Sequence, residues 1–521
     1  MNIPVNFLTW IMAFLPIIVL IVLMIKFHWG ATEAAPVGLL ITIFSGLLVY
    51  KADITTIAVE SAKGIWSALV ILLIIWTAIL MYQVGDEAKA FIVIKEGMSK
   101  LLPNELLLVL AMGWIFESFL QGITGFGVPV AVGAPLLIGI GVAPMYAIVI
   151  PLLGQAWGNT FGTLGAAWDS LTVSAGIQAG SPEYYRAAFW AAVFLLVWDF
   201  VTGIIICWLY GKGKAVKKGL PAGLVMTIIG GGGELVLSQV VLMLMGRMKM
   251  YRDAWRIEDS KIMVRTESTG ETLDAPKDMT LVQAFVPYVL LSLMTIIVLT
   301  VAPINALLSK VQLSISVPET STGYGFVNAA SDAFSPIVPF THASMFLFLS
   351  AVIGLVYYKK HGWIQAGGTK AIFGRSITMT MPSGMAVIGL VIMSKIMSGT
   401  GQTVVLSQGI AGVLGNKYLI LAPFIGLLGT FMTGSNMSSN ILFGDFQMTT
   451  SSLLGVNAPA VLGAQTAGGA IGAAVSPSKI ILGTTTAGCL GKEGEVLKIM
   501  LTFTIPATIA IGLFLFLVFG L

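Results

Sequence analysis

Hydrophobic residues along this chain form long runs separated by short polar stretches. The clearest runs cover residues 8–26, 36–50, 64–82, 186–210, 281–301, 341–358, 374–396 and 497–520. Most of them approach or exceed the roughly 20 residues that a helix needs to cross the hydrocarbon core of a bilayer. Residues 86–100 and 400–415 instead alternate polar and apolar positions, which predicts amphipathic helices at the membrane surface.

Two further apolar regions are interrupted by glycine, proline and polar residues. The first interruption is Glu117–Pro129, and the second is Gly429–Asn440. In hydrocarbon, every freed backbone N–H and C=O group must find a partner, so such a break is tolerated only inside protein or beside water. Secondary transporters place their substrates at broken helices of this kind, where the helix ends supply partial charge. We therefore expect both breaks to contribute to one central site.

A weak internal repeat connects the two interrupted regions. Gly97–Glu105 matches Gly409–Lys417 at an offset of 312 residues, and Gly122 falls on Gly434 at the same offset. At an offset of 310, Gln155 falls on Gln465, Gly158 on Gly468 and Gly162 on Gly472. The agreement of order and spacing predicts two related halves, and inverted repeats are a common plan among transporters.

The repeat divides the chain into a first half at residues 1–219, a re-entrant segment and polar linker at 220–280, and a second half at 281–521. The basic run Lys212–Lys218 contains no acidic residue, and the positive-inside rule places it in the cytoplasm. Residues 220–246 either enter the membrane and return or cross it once. We favour the return, because a single crossing would put the basic residues before and after it on opposite sides.

Composition sets the class of protein. Of 521 residues, 57% are hydrophobic and only 10% are charged. This balance predicts an all-α integral membrane protein, with about 12 transmembrane helices plus re-entrant segments. The two cysteines and three histidines provide no disulfide framework or metal spacing, and no Walker A or zinc-protease motif occurs. We therefore expect no enzyme activity, no cofactor and no nucleic-acid partner.

Candidate substrate-binding residues lie at the two breaks and in the segments after them. They are Gln121, Gly122, Thr124, Gly125, Phe126, Gly127, Asn159, Thr160, Ser435, Asn436, Ser438, Ser439, Asn440 and Gln465. Isolated glycines in membrane proteins often serve only close helix packing. Here they accompany a dense set of hydroxyl and amide groups, a combination that favours a binding loop for an anion.

Two carboxylates are candidates for coupling transport to protons. Intramembrane acids are costly and are functional candidates by default. Glu117 precedes Gln121 by one helical turn and shares its face, and Asp445 follows the second break. The alternative is a structural pair with a nearby lysine. Lys479 can pair with Asp445, meet an anionic substrate, or extend to the membrane surface.

Several stretches resemble the bacterial L-lactate permease family. They are Leu120–Ala131, Thr433–Gly444, Gly468–Gly469, Ser476–Pro477 and Gly488–Glu493. The resemblance covers most of the chain. It implies a multi-pass protein of the bacterial inner membrane that takes up lactate with protons, with glycolate and other 2-hydroxy monocarboxylates as related substrates. It also implies kinship with anion transporters that are built on inverted repeats with re-entrant hairpins.

One residue departs from the pattern of the family, which usually has a glutamate where this chain has Gln121. A proton-carrying role of that glutamate does not transfer to Gln121. Glu117 is the substitute that the sequence offers, and a different substrate or coupling ion is the alternative. Two other functions stay open at this point: a carrier of another small organic anion, which could be sodium-coupled, and a passive anion channel.

Overall fold

The structure, a computed structural model, describes residues 3–27, 29–123, 127–233, 241, 244–248, 251, 255–264, 276, 278–489 and 491–521. The helices of the first half are α1 (Phe7–Lys26), α2 (Ala31–Leu48), α3 (Ile54–Glu87), α4 (Ala90–Leu101), α5 (Glu105–Leu110), α6 (Phe116–Ile123), α7 (Val128–Ile138), α8 (Pro144–Ala156), α9 (Gly162–Ala175) and α10 (Pro182–Gly233). A π-helical turn, Ala111–Ile115, joins α5 to α6, and a 3-10 turn, Trp157–Asn159, follows α8.

The second half begins with α11 (Leu281–Thr300) and α12 (Ala302–Leu308), followed by β1 (Leu313–Val317), β2 (Thr320–Ser321), β3 (Val327–Asn328), β4 (Ser331–Ile337) and the 3-10 turn Pro339–Thr341. Its other helices are α13 (Ala343–Lys360), α14 (Gly368–Gly399), α15 (Gln402–Leu414), α16 (Tyr418–Thr433), α17 (Asn436–Leu454), α18 (Ala458–Gly472), α19 (Pro477–Thr486) and α20 (Glu493–Phe519). The 3-10 turns Gly415–Lys417 and Ala473–Val475 follow α15 and α18. Strand β1 pairs antiparallel with β4, and β2 with β3.

Membrane-length apolar helices dominate the fold, as the composition predicts. Within the described residues, nine helical segments are long and apolar enough to cross a bilayer, and three shorter apolar helices accompany them. The all-α membrane architecture is therefore confirmed, and the total of 12 spans stays a prediction. Several helices start at side chains that accept a hydrogen bond from their first turn, as Asp53 does from the Thr56 N–H at 2.7 Å.

The same order of elements occurs in both halves. Helices α2, α3 and α4 correspond to α13, α14 and α15, which begin 312 to 314 positions later. The broken helix α5–α6 and its continuation α7 correspond to α16 and α17. In each half, a helix then ends in a 3-10 turn, and a short helix and a long final helix follow. The helices that contain Gln155 and Gln465 begin 314 positions apart, and the elements after them begin 311 to 316 positions apart, so the match of Gln155 with Gln465 at an offset of 310 does not join equivalent positions.

Contacts between the equivalent helices α3 and α14 indicate that the repeats are inverted. The contacting pairs are Glu60 with Gly399, Gly64 with Ile392, Leu72 with Gly384, and Gln83 with Arg375. Residue numbers rise along α3 while they fall along α14, so the two helices are antiparallel. Equivalent helices can run in opposite directions only when the axis that relates the two halves lies in the plane of the membrane. This contact pattern supports the predicted inversion.

Basic residues identify the two faces of the protein. Residues 359–375, which comprise the loop between α13 and α14 and the adjoining helix ends, contain Lys359, Lys360, Lys370 and Arg375 and no acidic residue. Arg375 forms an ion pair with Glu87 at the end of α3, which places that end on the same face. Tyr210, beside the basic run Lys212–Lys218, donates to Glu105 at the start of α5 at 2.6 Å. The positive-inside rule indicates that this face is cytoplasmic.

Residues 301–342 form a small unit on the opposite, outer face. Three hydrogen bonds hold it against the outer ends of α3 and α14. Gly323 N–H donates to Lys51 C=O at 2.7 Å, Asn328 donates to Gly399 C=O at 2.8 Å, and Trp66 Nε1 donates to Ser335 C=O at 2.9 Å. The four short strands therefore cover the central helix pair from outside the membrane.

The predicted segment between the halves lies partly outside the described residues. Helix α10 has non-helical backbone at Gly211 and Lys212 and then continues to Gly233. Residues 234–240 and 265–275 are among those that the structure does not describe, so the return of residues 220–246 stays a prediction. Within the described linker, Trp255 C=O accepts from Glu105 N–H at 3.1 Å, and Ile262 C=O accepts from Ala143 N–H at 2.7 Å.

We predict that Gly64→Leu destabilises the fold. A Cβ atom at Gly64 would lie 2.7 Å from Ile392 Cα, so any larger side chain must push α3 and α14 apart. Overpacking of this kind typically costs about 1–3 kcal/mol. The melting temperature of the detergent-purified protein should fall. Gly374→Leu on the exposed side of α14, where an added Cβ meets nothing within 4 Å, is the control and should melt like the wild type. Equal melting of the two variants would contradict the close contact of α3 with α14.

Candidate substrate site

A small cavity lies where the two broken regions meet. It is lined by Gln121, Asn159, Gly162, Thr163, Ala166, Ala167, Gly434, Ser435, Asn436, Met437 and Lys479. Its volume is about 30 Å³, close to the share of one water molecule in the liquid. This space is too small for an organic anion, so binding of one requires the cavity to widen. A larger groove of about 540 Å³ runs along α20, but one helix supplies its whole lining and it opens to the outside.

The second break forms one wall of the cavity. Helix α16 ends at Gly434, whose φ of 74° lies in the left-handed region that favours glycine. Ser435 then starts α17, and its side chain accepts a hydrogen bond from Ser438 N–H at 3.3 Å. This cap satisfies one of the free N–H groups at the start of the helix. Since Ser435, Asn436 and Met437 all line the cavity, the positive end of the α17 dipole faces it.

The first break forms the opposite wall. Helix α6 ends at Ile123, and α7 begins after Gly127, whose φ is 86°. Gln121 lines the cavity, while the predicted site residues Thr124, Gly125 and Phe126 lie outside the described residues. The start of α9 packs on this wall: a Cβ at Gly162 would lie 2.8 Å from Gln121 C=O. Glycine is required there because the two backbones are so close.

A strained turn continues this wall. Thr163, Leu164 and Gly165 have φ values of 52°, 50° and 85°, although the first two are not glycine. Each such non-glycine residue costs of order 1–3 kcal/mol. Thr163 Oγ1 donates to Gln121 C=O at 3.4 Å, so the turn supplies a partner to a carbonyl at the end of α6. Backbone strain of this kind is concentrated at functional sites, which supports the assignment of the cavity.

Behind the cavity, amide and hydroxyl groups form a connected network. Asn436 Nδ2 donates to Thr160 Oγ1 at 3.1 Å and to Thr466 Oγ1 at 3.3 Å. The two threonine hydroxyls lie 3.0 Å apart. Asn440 Nδ2 donates to Thr466 Oγ1 and to Ala167 C=O, both at 2.9 Å. Thr466 is thus the centre of the network, and the sequence analysis missed it because it lies in a run of alanine and glycine with no polar neighbour except Gln465.

Seven predicted binding residues are described by the structure but do not line the cavity: Gly122, Gly127, Thr160, Ser438, Ser439, Asn440 and Gln465. Ser439 donates to Gly426 C=O at 2.8 Å, and Gln465 Nε2 donates to Ser439 Oγ at 3.2 Å. Gln447 Nε2 donates to Gln465 Oε1 at 2.8 Å. Asn440 lies in the network behind the wall. These side chains use their hydrogen bonds to hold α17 against α16 and α18, and they support the wall from behind.

Lys479 brings a positive charge to the cavity. Its side chain is only 5% exposed, and its ammonium group donates to Asn159 Oδ1 at 3.4 Å. Asn159 is held in turn, since its Nδ2 donates to Gln155 C=O and Ala156 C=O, both at 3.0 Å. No aspartate or glutamate belongs to the lining that the structure describes. A buried ammonium without a carboxylate partner is costly, so the site is electrostatically prepared for an anion.

The two candidate proton carriers occupy different surroundings. Glu117 is 0% exposed, and neither of its carboxylate oxygens has a hydrogen-bond partner in the described structure. Its carboxyl group packs on the backbone of Gly133. Burial without a partner favours the neutral acid over the carboxylate. Asp445 instead faces Lys395 and the Thr403 hydroxyl. It does not line the cavity.

The inverted halves, the paired breaks and the cationic cavity define a multi-pass membrane transport protein. A family model described as L-lactate permease matches residues 9–521, and the chain belongs to the L-lactate permease family. An L-lactate permease of Halalkalibacterium halodurans is 25% identical, covering 94% of this chain and 93% of that protein. The glycolate permease GlcA of Escherichia coli K12 is 24% identical, covering 97% and 95%. A solved structure, the YdaH transporter of Alcanivorax borkumensis, aligns over 88% of this chain and 86% of that one with 14% identity and a TM-score of 0.48.

We predict that Thr466→Val weakens the network without changing the shape of the side chain. Asn436 and Asn440 would each lose an acceptor in a buried setting, which costs about 1–3 kcal/mol for an unsatisfied group. Thermal unfolding in detergent should show a lower melting temperature. Thr466→Ser keeps the hydroxyl and should unfold close to the wild type. If Thr466→Val is as stable as the wild type, Thr466 is not the centre of the network.

Proposed function

We propose that this protein is a secondary carrier of the bacterial inner membrane that imports L-lactate or a related small 2-hydroxy monocarboxylate together with protons. The observation that carries the proposal is the cavity between the two breaks, where a buried ammonium group and the N-terminus of α17 meet with no acidic residue in the described lining. Helix N-termini bind anions through free N–H groups and the positive end of the dipole. The family names of the relatives agree with a small carboxylate as the anion.

The lining divides the recognition of such a substrate between charge and hydrogen bonding. Lys479 and the N-terminus of α17 are placed to bind the carboxylate. Gln121 contributes a second function: its Oε1 atom is buried and has no donor in the described structure. The 2-hydroxyl group of a hydroxy acid can donate the hydrogen bond that this oxygen lacks. The arrangement therefore favours hydroxy acids over unsubstituted acids of the same size, because an unpaired buried acceptor is costly.

Proton coupling follows from the need to carry the anion through a low-dielectric path. Glu117 lies one turn before Gln121, which places an acid beside the cavity without making it part of the lining. Buried without a partner, this acid is accommodated in its neutral form. Opening of the site to water allows the proton to leave on the cytoplasmic side. Loading and release of this proton then accompany the anion, and Asp445 is the alternative carrier.

We predict that Lys479→Met abolishes substrate binding and leaves the protein as stable as the wild type or more stable. The substitution replaces an uncompensated buried charge by an apolar chain of similar length. Uptake of radiolabelled L-lactate into proteoliposomes, driven by an imposed pH gradient, should fall to background. Lys479→Arg should retain part of the activity, because it keeps the charge.

Lys498→Met on the exposed face of α20 provides the matched control and should transport like the wild type. Wild-type lactate affinity in Lys479→Met would rule out the cavity as the anion site. A panel of carboxylates under sodium or pH gradients separates the other functions. Accumulation driven by sodium alone would indicate a sodium-coupled carrier, and flux without accumulation would indicate a channel.

We predict that Glu117→Gln separates exchange from accumulation. The amide keeps the size of the side chain and cannot release a proton. Counterflow exchange of L-lactate across the membrane should continue, whereas uphill uptake driven by a pH difference should be lost. Glu33→Gln, on the exposed face of α2, is the control. Gln121→Glu should be tolerated or shift the pH optimum. If Glu117→Gln still accumulates lactate under a pH gradient alone, Glu117 has a structural role and Asp445 becomes the candidate.

A further inference from the structure

A cluster of charged side chains surrounds one aromatic ring at the outer ends of α3 and α14. The ammonium groups of Lys63 and Lys395 lie 5.6 Å and 5.9 Å from the centre of the Phe334 ring. Phe334 belongs to β4, where it pairs with Ile315 of β1. The hydrogen bond from Trp66 to the carbonyl of the next residue anchors the strand to α3. The ring is therefore close to two cations, one from each half of the chain.

Each lysine already has an acidic neighbour. Lys63 Nζ lies 2.7 Å from Glu60 Oε1, and both side chains are buried. Lys395 Nζ donates to Val173 C=O at 3.1 Å, and its ammonium group is within electrostatic range of Asp445, Glu60 and Lys63. The cluster is consequently close to neutral overall. It can attract an anion to the two ammonium groups without holding it tightly.

Two helices connect this cluster directly to the substrate cavity. Helix α9 lines the cavity at Ala166 and Ala167, and seven residues later its Val173 and Ser174 reach the cluster. Helix α17 lines the cavity at Met437 and reaches the cluster at Asp445. At 1.5 Å per residue, these distances along the helices are roughly 10–12 Å. Ser174 ties the two helices together, since its Oγ donates to Ile441 C=O at 2.8 Å and accepts from Asp445 N–H at 3.3 Å.

We propose that Lys63 and Lys395 form a transit site for the carboxylate substrate on its way from the outer face to the central cavity, with Phe334 as the group that closes it. An incoming carboxylate replaces the ring beside the two ammonium groups. The exchange is favourable because a charge-assisted hydrogen bond to a carboxylate is stronger than the attraction of an ammonium group for a ring face. Glu60 and Asp445 keep the affinity low enough for the anion to move on.

This inference rests on the proposed function, because it takes a small carboxylate as the substrate. It predicts that the two lysines control the rate of entry and leave affinity at the central cavity unchanged. The two ammonium groups attract an approaching carboxylate and offset the repulsion by Glu60 and Asp445, and salt screens both effects. The variant Lys63→Met with Lys395→Met leaves Glu60 and Asp445 without these cations, so it should slow entry at low salt, and added salt should narrow the difference from the wild type. Phe334→Leu keeps apolar bulk but loses the ring face, and it should speed entry.

The experiment measures initial L-lactate influx in right-side-out vesicles at several salt concentrations, together with equilibrium binding of L-lactate to the purified protein. The double lysine variant should lose about ten-fold in influx at low salt and bind lactate with an affinity within about two-fold of the wild type. Lys310→Met and Phe340→Ala, exposed substitutions in the same outer unit, are the controls and should match the wild type.

Lys395→Arg keeps the charge and should retain influx, which separates loss of the transit site from loss of the fold. Influx of the double lysine variant equal to the wild type, or a slowing of efflux alone, would overturn the transit site while the central cavity stands. Failure of the wild type to bind or transport any small carboxylate would instead overturn the proposed function itself.

Discussion

Backbone polar groups that a helix break frees inside a membrane must be satisfied by protein, and this constraint organises the structure. Ser435 caps the start of α17 through the Ser438 N–H, and Thr163 supplies a donor to the free carbonyl of Gln121. The two breaks can exist because each is covered by elements that also line the cavity. The anion site is a consequence of the same arrangement, since helix N-termini that are brought together carry partial positive charge.

The inverted repeats explain how the two breaks meet at one cavity. Equivalent positions in the two halves nevertheless carry different side chains. Helices α9 and α19 are equivalent and begin at Gly162 and Pro477. The third residue of α19 is Lys479, whereas the third residue of α9 is Leu164 in the strained turn. The cation of the cavity thus comes from the second half alone. The repeat places the site between the two halves. Single residues that differ between the halves, such as Lys479, give the site its charge and its asymmetry.

Burial raises the free-energy cost of leaving the polar groups of the site unpaired, and this cost makes the site specific for a substrate that pairs with them. Lys479 lies in the cavity wall with an amide oxygen for a partner, and Glu117 is enclosed without one. Neither group contributes to stability in this state, because a buried ammonium group needs a partner of opposite sign and a buried neutral acid needs a hydrogen-bond partner. A substrate carboxylate beside Lys479 offers that compensation. These unpaired groups therefore lower the stability of the empty carrier, and substrate binding at the same groups restores stability.

The sequence by itself determined the membrane class, most helix positions, the two breaks and the repeat, because each of these depends on local composition and on spacing along the chain. Apolar length predicts spans, and the glycine and polar residues at Gly122 and Gly434 mark the interruptions whatever surrounds them. Only the tertiary structure decided which polar residues share a cavity. Ser435 and Ser439 are four residues apart in one polar run, yet Ser435 lines the cavity and Ser439 faces α16. The inversion became visible only through the contacts of α3 with α14. Lys479 was assigned to the cavity, and Asp445 to Lys395, by packing between helices that are distant in sequence, and no local pattern encodes such distances.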